Sequence, residues 1–194
     1  TRKNFSSAKP LLESIINGGG YSLVPVEKAR DFDNIFGYNV TSSSEEIFYG
    51  KTSRTGNAGW ELCMYYAHPN AKVDGQKMYK PGGWYALVLS SENKWVKEWD
   101  ASDLRKEFNV LPFTRMDTFD NLPMDGLTVK FWDPEATGAG AGTCDNPVYR
   151  YADVLMMYAE VLNEVNNGPT AEAIEYLNKI HRRGYGYDAN TPSP

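Results

Sequence analysis

A mainly α fold with an irregular, partly β middle is predicted by three observations. Apolar residues recur at three-and-four spacing near both ends of the chain, in "SSAKPLLESIIN" and in "NPVYRYADVLMMYAEVLNEVNNG". Each of these runs stops at glycine, "GGG" at 18–20 and "NNG" at 166–168. Between them, from about 31 to 144, apolar runs are short and broken by turn-rich stretches such as "KTSRTGNAG", "HPNAKVDG" and "KPGG". The organisation expected is a helix with an extended exit over 1–30, an irregular segment over 31–144 and a helix pair over 145–194, all within one domain spanning 1–194.

In the opening helix, Ala8, Leu11, Leu12, Ile15 and Ile16 share one face. Pro10 is tolerated in a first turn, which places the helix start near Ser6 or Ser7. "YSLVPV" then leaves as extended chain. In the middle, "EEIFYG", "WELCMYY" and "LTVKFWD" read as short strands, and "SSENKWVKEWDASDLRKEF" as helix that breaks near Asp100. "PEATGAGAGTCDNP" reads as a loop. Near the end, Tyr149, Ala152, Leu155, Met156, Ala159 and Leu162 form one helical face. "PTAEAIEYLNKIHRR" gives a second helix with Ile174, Leu177 and Ile180 inward. Pro169 and Thr170 suit its start, and Lys179, Arg182 and Arg183 suit its negative C-terminal end. Two antiparallel helices joined by a short glycine turn are the unit of tetratricopeptide-like solenoids, although no 34-residue period runs through this chain.

A formal charge of −5 excludes the clustered excess of Lys and Arg expected of a nucleic-acid surface. No apolar stretch approaches the roughly 20 residues that span a bilayer. Cys63 and Cys144 are too few for a disulfide scaffold and have no metal spacing; whether they pair is open. No cofactor or metal is expected. "GAGAG" at 138–142 lacks the Lys-Ser/Thr of a phosphate loop, and "DFDN" at 31–34 has Ile35 where a calcium ligand is required. His68 and His181 have no partner at ligand spacing. Asp100 with Asp103, or Glu45 with Glu46, are the carboxylate pairs a glycosidase would need, but solvated or turn-forming carboxylates are the usual case and no catalysis is assigned to them.

The largest departure in composition is aromatic, 13% of residues including 13 Tyr and 5 Trp. Trp60, Tyr65, Tyr66, Trp84, Tyr85, Trp95 and Trp99 fall together in the middle segment. Trp95 and Trp99, four apart, fit one buried helix face. Trp84 and Tyr85 follow the Pro-Gly-Gly turn of "KPGGWY", where a ring can stand in solvent. The candidate ligand contacts are Trp84, Tyr85, Trp60, Tyr66 and Trp95, with Asn93, Arg54, Asp74 and Lys77 as possible polar partners. Flat rings match the apolar faces of sugars. A ring that removes about 100 Å² of apolar surface from water contributes on the order of 2.5 kcal/mol. Two such platforms, less association costs, give roughly millimolar affinity, which suits polymers with repeated epitopes.

"VYRYADVLMMYAEVLNEVNNGPTAEAIEYLNKIHRRGYG" resembles the SusD/RagB family of Bacteroidetes surface lipoproteins. The family's hallmark is an R-Y-A-D-V-L-L-M-Y-A-E-A-x-N-E helix followed by an A-x-x-x-L-N-x-I/V-R-x-R helix. "NGGGYSLVP", "SSSEEIFYG" and "DASDLR" fit the family's order, and Met156 and Met157 stand where its pattern has Leu and Met. The resemblance implies a SusD-like fold. It also implies a non-catalytic protein that binds glycan at the outer-membrane surface, held by a lipid anchor in the full-length protein, and passes it to a SusC-like TonB-dependent transporter. A peptide ligand, as in the RagB branch, is the alternative. On the same ground Arg150, Asp153, Glu160 and Asn163 are scaffold residues tying the helix to its neighbours. No lipidation Cys precedes Thr1 and the family's later E-R-x-x-E-L-x-F-E-G motif is absent, so the resemblance implies the middle of a longer protein.

Overall fold

The structure is a computed structural model in which residues 3–55, 59, 72–73, 76–77, 93–111, 128–138 and 141–192 are described. The chain forms two compact units. One comprises Thr1–Glu27, Ser42–Tyr49 and Pro147–Pro194, and the other Lys28–Thr41 and Gly50–Asn146.

The first unit is a layer of three helices, α1 (Phe5–Asn17), α5 (Tyr151–Val165) and α6 (Ala171–Gly184), with α5 packed against both of the others. α1 starts earlier than the Ser6 or Ser7 expected. Asn4 is its cap, accepting the Ser7 N–H at 3.2 Å, and Pro10 sits in the second turn. An interior proline removes one backbone hydrogen bond, and the packing of Leu12 and Ile16 against Tyr158 and Leu162 holds the helix regardless. The helix stops where expected, with Gly19 at φ +70°, a conformation glycine adopts without strain. Leu11, expected on the inner face, is exposed.

Because α5 lies between two helices, its buried surface is wider than one stripe. Val154, Tyr158 and Val161 join Ala152, Leu155, Ala159 and Leu162 inside. Met156, expected inward, is exposed, and Tyr149 belongs to a strand instead. In α6 the inner face is led by Ala173 and Tyr176. Ile174 and Leu177 correct the reading, being 47% and 49% exposed. The apolar stripe of α6 is broader than its contact with α5. Its outer edge lines a groove of about 530 Å³ with Met156, Met157 and Asn163.

The α5–α6 turn follows the expected glycine signal, with Asn167 at φ +55° and the Gly168 N–H donating to the Asn163 carbonyl at 2.9 Å. Thr170 caps α6 by accepting the Ala173 N–H. Strand β1 (Glu46–Gly50) pairs with β4 (Asn146–Arg150) in a two-stranded ribbon. The Tyr151 N–H donates to the Glu45 carbonyl at 2.8 Å where this ribbon runs into α5.

In the second unit a 3₁₀ turn (Ala29–Phe32) runs into α2 (Asp33–Phe36). A two-residue hairpin pairs β2 (Lys72–Val73) with β3 (Gln76–Lys77), and helices α3 (Lys94–Glu98) and α4 (Leu104–Asn109) are short. The break near Asp100 lies between α3 and α4, as expected. Its core is a ring cluster in which Phe108 meets Phe32 at 5.4 Å and Phe36 at 6.1 Å, and Phe131 meets Phe36 edge-on at 5.4 Å. The strand expected in "LTVKFWD" is absent from its described residues 128–133. A turn stands there instead, with Phe131 at φ +60°, and the Val129 N–H donates to the Phe108 carbonyl. A bulky residue at positive φ is held there by packing, since Phe131 is buried and Lys130 lies 4.3 Å from the Phe36 ring centre. "WELCMYY" lies outside the described residues.

Candidate functional site

The exposed tryptophan of α3 is the ligand-binding candidate whose geometry is described. Trp60, Tyr66, Trp84 and Tyr85, and with them Asp74 and Cys63, lie outside the described residues; Cys144 is buried. Asn93 starts the helix, its side-chain oxygen accepting the Trp95 N–H at 3.2 Å. Val96 is the buried residue of α3. This turns Trp95 outward and leaves it 45% exposed, which corrects the expectation of a buried Trp95/Trp99 face. The spacing does bring the two rings together, with centroids 5.7 Å apart.

What sits under that pair is Asp103. Its buried carboxylate accepts the Trp99 indole N–H at 2.9 Å, the Arg105 backbone N–H at 2.9 Å and the Arg105 guanidinium at 2.7 Å. Burial pushes the Asp103 carboxyl up, but hydrogen bonds from Arg105 and Trp99 outweigh it and hold the group below the usual carboxylate range. Lys106 Nζ closes the loop by donating to the Trp99 carbonyl at 2.6 Å. Trp99 is therefore fixed at both its ring and its backbone, and Trp95 rests against it. The result is a pre-set apolar platform.

Three of the carboxylates considered for acid–base work, Asp100, Asp103 and Glu45, are committed elsewhere. Asp103 is saturated, and Asp100 accepts the Ser102 N–H and hydroxyl at 2.9 and 2.6 Å. Glu45 is fully buried; it pairs with Arg183 and accepts the Val24 N–H at 2.9 Å, with the Arg150 guanidinium 3.9 Å away. Arg183, expected to complement the end of α6, is thus a buried ion-pair partner. Arg54, considered as a ligand contact, donates to Asp133 at 3.0 Å and faces Thr143 Oγ1 at 3.4 Å. Lys77 is exposed in β3.

Of the scaffold residues, Asp153 accepts the Arg150 N–H at 2.8 Å, which caps α5. Asn163 receives the Gly168 N–H on its backbone carbonyl. Glu160 makes no hydrogen bond or ion pair among the described residues; it is exposed, because its position on α5 points between the grooves toward α1 and α6. Sequence reasoning weighed Glu45 only as half of a carboxylate pair and missed its role as the buried partner of Arg183; the one local signal is a carboxylate just before a strand. No cluster of His, Cys, Asp or Glu able to hold a metal occurs among the described residues, and none of their helices is long and apolar enough to cross a membrane.

The SusD family model matches residues 84–193. A SusD-like protein, P2, of Formosa agariphila is 26% identical across 94% of this chain and 38% of its own. Among solved structures, surface glycan-binding protein A of Bacteroides fluxus superposes with a TM-score of 0.68 at 18% identity, over 95% of this chain and 41% of that one. The same-named protein of Bacteroides thetaiotaomicron, solved in complex with laminarihexaose, gives 0.63 at 17% identity, over 98% and 44%. A laminarin-binding SusD-like protein gives 0.59 at 18% identity, over 95% and 44%. The chain spans less than half the length of these relatives, and its predominantly helical fold with a small sheet is theirs. The match over more than half of its residues makes this chain a member of the SusD family.

Proposed function

We propose that this chain is part of a single SusD-like domain that binds an oligo- or polysaccharide at the cell surface without transforming it. In the full-length protein, held to the outer membrane by a lipid anchor, it delivers that glycan to a SusC-like TonB-dependent transporter. The observation that carries the reading is the Trp95 ring, half exposed and backed by a Trp99 that Asp103 and Lys106 immobilise. An apolar plate whose orientation is fixed before binding loses little entropy on contact, and flat pyranose faces are the ligand surface it fits. The solved SusD-like proteins named for glycan, laminarin and laminarihexaose support the same ligand class. Trp84, Tyr85, Trp60 and Tyr66 complete the proposed set of ring contacts.

Titrating polysaccharides, oligosaccharides and peptides while following intrinsic tryptophan emission tests the proposal. A saturable change with a glycan is the expected result. A response to peptides alone would replace it with the peptide-binding reading.

A further inference from the structure

Beside the C-terminal end of α6, Leu23–Glu27 and Gly186–Asn190 enclose a cleft of about 220 Å³. Resting on the glycan reading above, we propose that this cleft is a second saccharide site, which takes a single pyranose unit of a glycan chain against the ring of Tyr187.

The loop that carries Tyr187 is held at nearly every residue. The Tyr187 N–H donates to the Arg182 carbonyl at 3.0 Å and the Gly186 N–H to the Arg183 carbonyl at 3.2 Å. The buried Arg182 guanidinium reaches across to the Ala189 carbonyl, at 3.0 Å from Nε, and its other face pairs with Glu175. Gly186 takes φ +80°, which turns the chain so that the next side chain stands outside. Tyr187 is 60% exposed on this fixed loop. An exposed ring on a mobile loop is ordinary, but a ring on a loop tied down by a buried arginine is already positioned for contact.

The polar lining suits hydroxyl groups. Asp188 accepts the Asn190 N–H at 3.0 Å and the Thr191 hydroxyl at 2.6 Å. These bonds hold its carboxyl below the usual range, so at neutral pH it is an acceptor whose orientation is fixed. Each carboxylate oxygen retains a lone pair for a sugar hydroxyl. Asn190 gives its carbonyl oxygen to Lys179 at 2.8 Å, which orients its amide nitrogen as a donor. Glu27 lines the opposite wall. The volume is below the roughly 300 Å³ of a drug-sized pocket, hence a single ring and not an oligosaccharide groove. One stacked ring and a few hydroxyl contacts make a weak site, useful when another site on the same chain already holds the polymer.

The test is amide chemical-shift mapping of the ¹⁵N-labelled protein during titration with laminarihexaose, cellohexaose, xylohexaose and mannohexaose, in the wild type and in Tyr187→Ala, Tyr187→Phe and Trp95→Ala. The expected result is saturable shifts at Gly186–Asn190 and in the Leu23–Glu27 segment. They are lost in Tyr187→Ala and kept in Tyr187→Phe and in Trp95→Ala. Shifts confined to Asn93–Asp103 would overturn this site and leave glycan binding standing. No shift with any of the four sugars would overturn the glycan reading, and this site with it.

Discussion

The two units of this chain are stabilised in different ways. In the helical unit most of the core is apolar and periodic: Tyr158, Leu162 and Ala173 meet Leu12, Ile16 and Tyr176 across helices whose spacing is visible in the sequence. Its polar exceptions are Glu45, joined to Arg183 across 138 positions of chain, and Arg182, paired with Glu175 on its own helix. Among its described residues, the irregular unit uses ring packing between segments far apart in the chain, Phe32 and Phe36 against Phe108 and Phe131, and carboxylates that gather loops. Asp133, fully buried, accepts from Arg54, from the Thr143 N–H and hydroxyl at 3.0 Å each, and from the Glu135 N–H at 2.9 Å. Asp145 accepts from Lys51 at 2.8 Å and from the Thr52 N–H at 2.9 Å. Regular packing makes a scaffold, whereas loops fixed by individual carboxylates leave rings such as Trp95 free to face outward.

The comparison breaks most sharply at Glu45. Glu45→Ala strands the Arg183 charge in the interior and is expected to cost about 3–5 kcal/mol in urea denaturation. Adding Arg183→Met should recover part of that loss, because the uncompensated charge goes with it. A Glu45→Ala variant as stable as the wild type would show that the pair is not what joins these segments.

In the irregular unit, Asp133→Ala removes one acceptor from four donors and is expected to cost about 2–3 kcal/mol, with Asp133→Asn milder. If both units used the same kind of stabilisation, this change at a loop residue would instead stay within about 0.5 kcal/mol.

Pro10→Ala sharpens the helical side. It restores a backbone donor in the second turn of α1 and is expected to stabilise by about 1 kcal/mol, read as a rise in thermal midpoint.

The smallest effect is pH dependence at the platform. Asp103 has a folded-state pKa below its unfolded value, so its contribution is present above the unfolded pKa and is lost as pH falls through the folded one. Near-ultraviolet circular dichroism of the tryptophans is therefore expected to stay constant from pH 8 to pH 5 and to change only below about pH 4, the ordinary aspartate range. Asp103→Asn should remove that acid transition.

What was legible in the sequence follows the same division. The three long helices, the glycine stops of the first two, the Thr170 cap and β1 were readable because each depends on residues within one or two turns of one another. The break between α3 and α4 was readable for the same reason. Burial was less so. Periodicity identifies an apolar stripe but not which neighbour covers it, so Leu11, Met156, Ile174 and Leu177 were placed inside although the described helices leave them exposed. The spacing of Trp95 and Trp99 showed that the rings meet, but not that Val96 would take the buried position between them. Glu45 with Arg183 and Arg54 with Asp133 join residues 138 and 79 positions apart, which no local pattern encodes. The family resemblance came from the two-helix motif and the order of the shorter stretches before it; of its charged residues, Arg150 and Asp153 prove to form the cap of α5.

The most direct test of the central claim, that the outward Trp95 ring, backed by a Trp99 held by Asp103, receives glycan, is calorimetric titration of laminarihexaose and of the polysaccharide giving the strongest emission change into the wild type and Trp95→Ala. Because Trp95 is largely outside the core, the variant should keep the wild-type thermal midpoint while losing affinity by about tenfold or more, the equivalent of 1.4 kcal/mol or greater from a lost apolar contact. Unchanged affinity in a folded Trp95→Ala protein would contradict the account and move the binding surface away from α3.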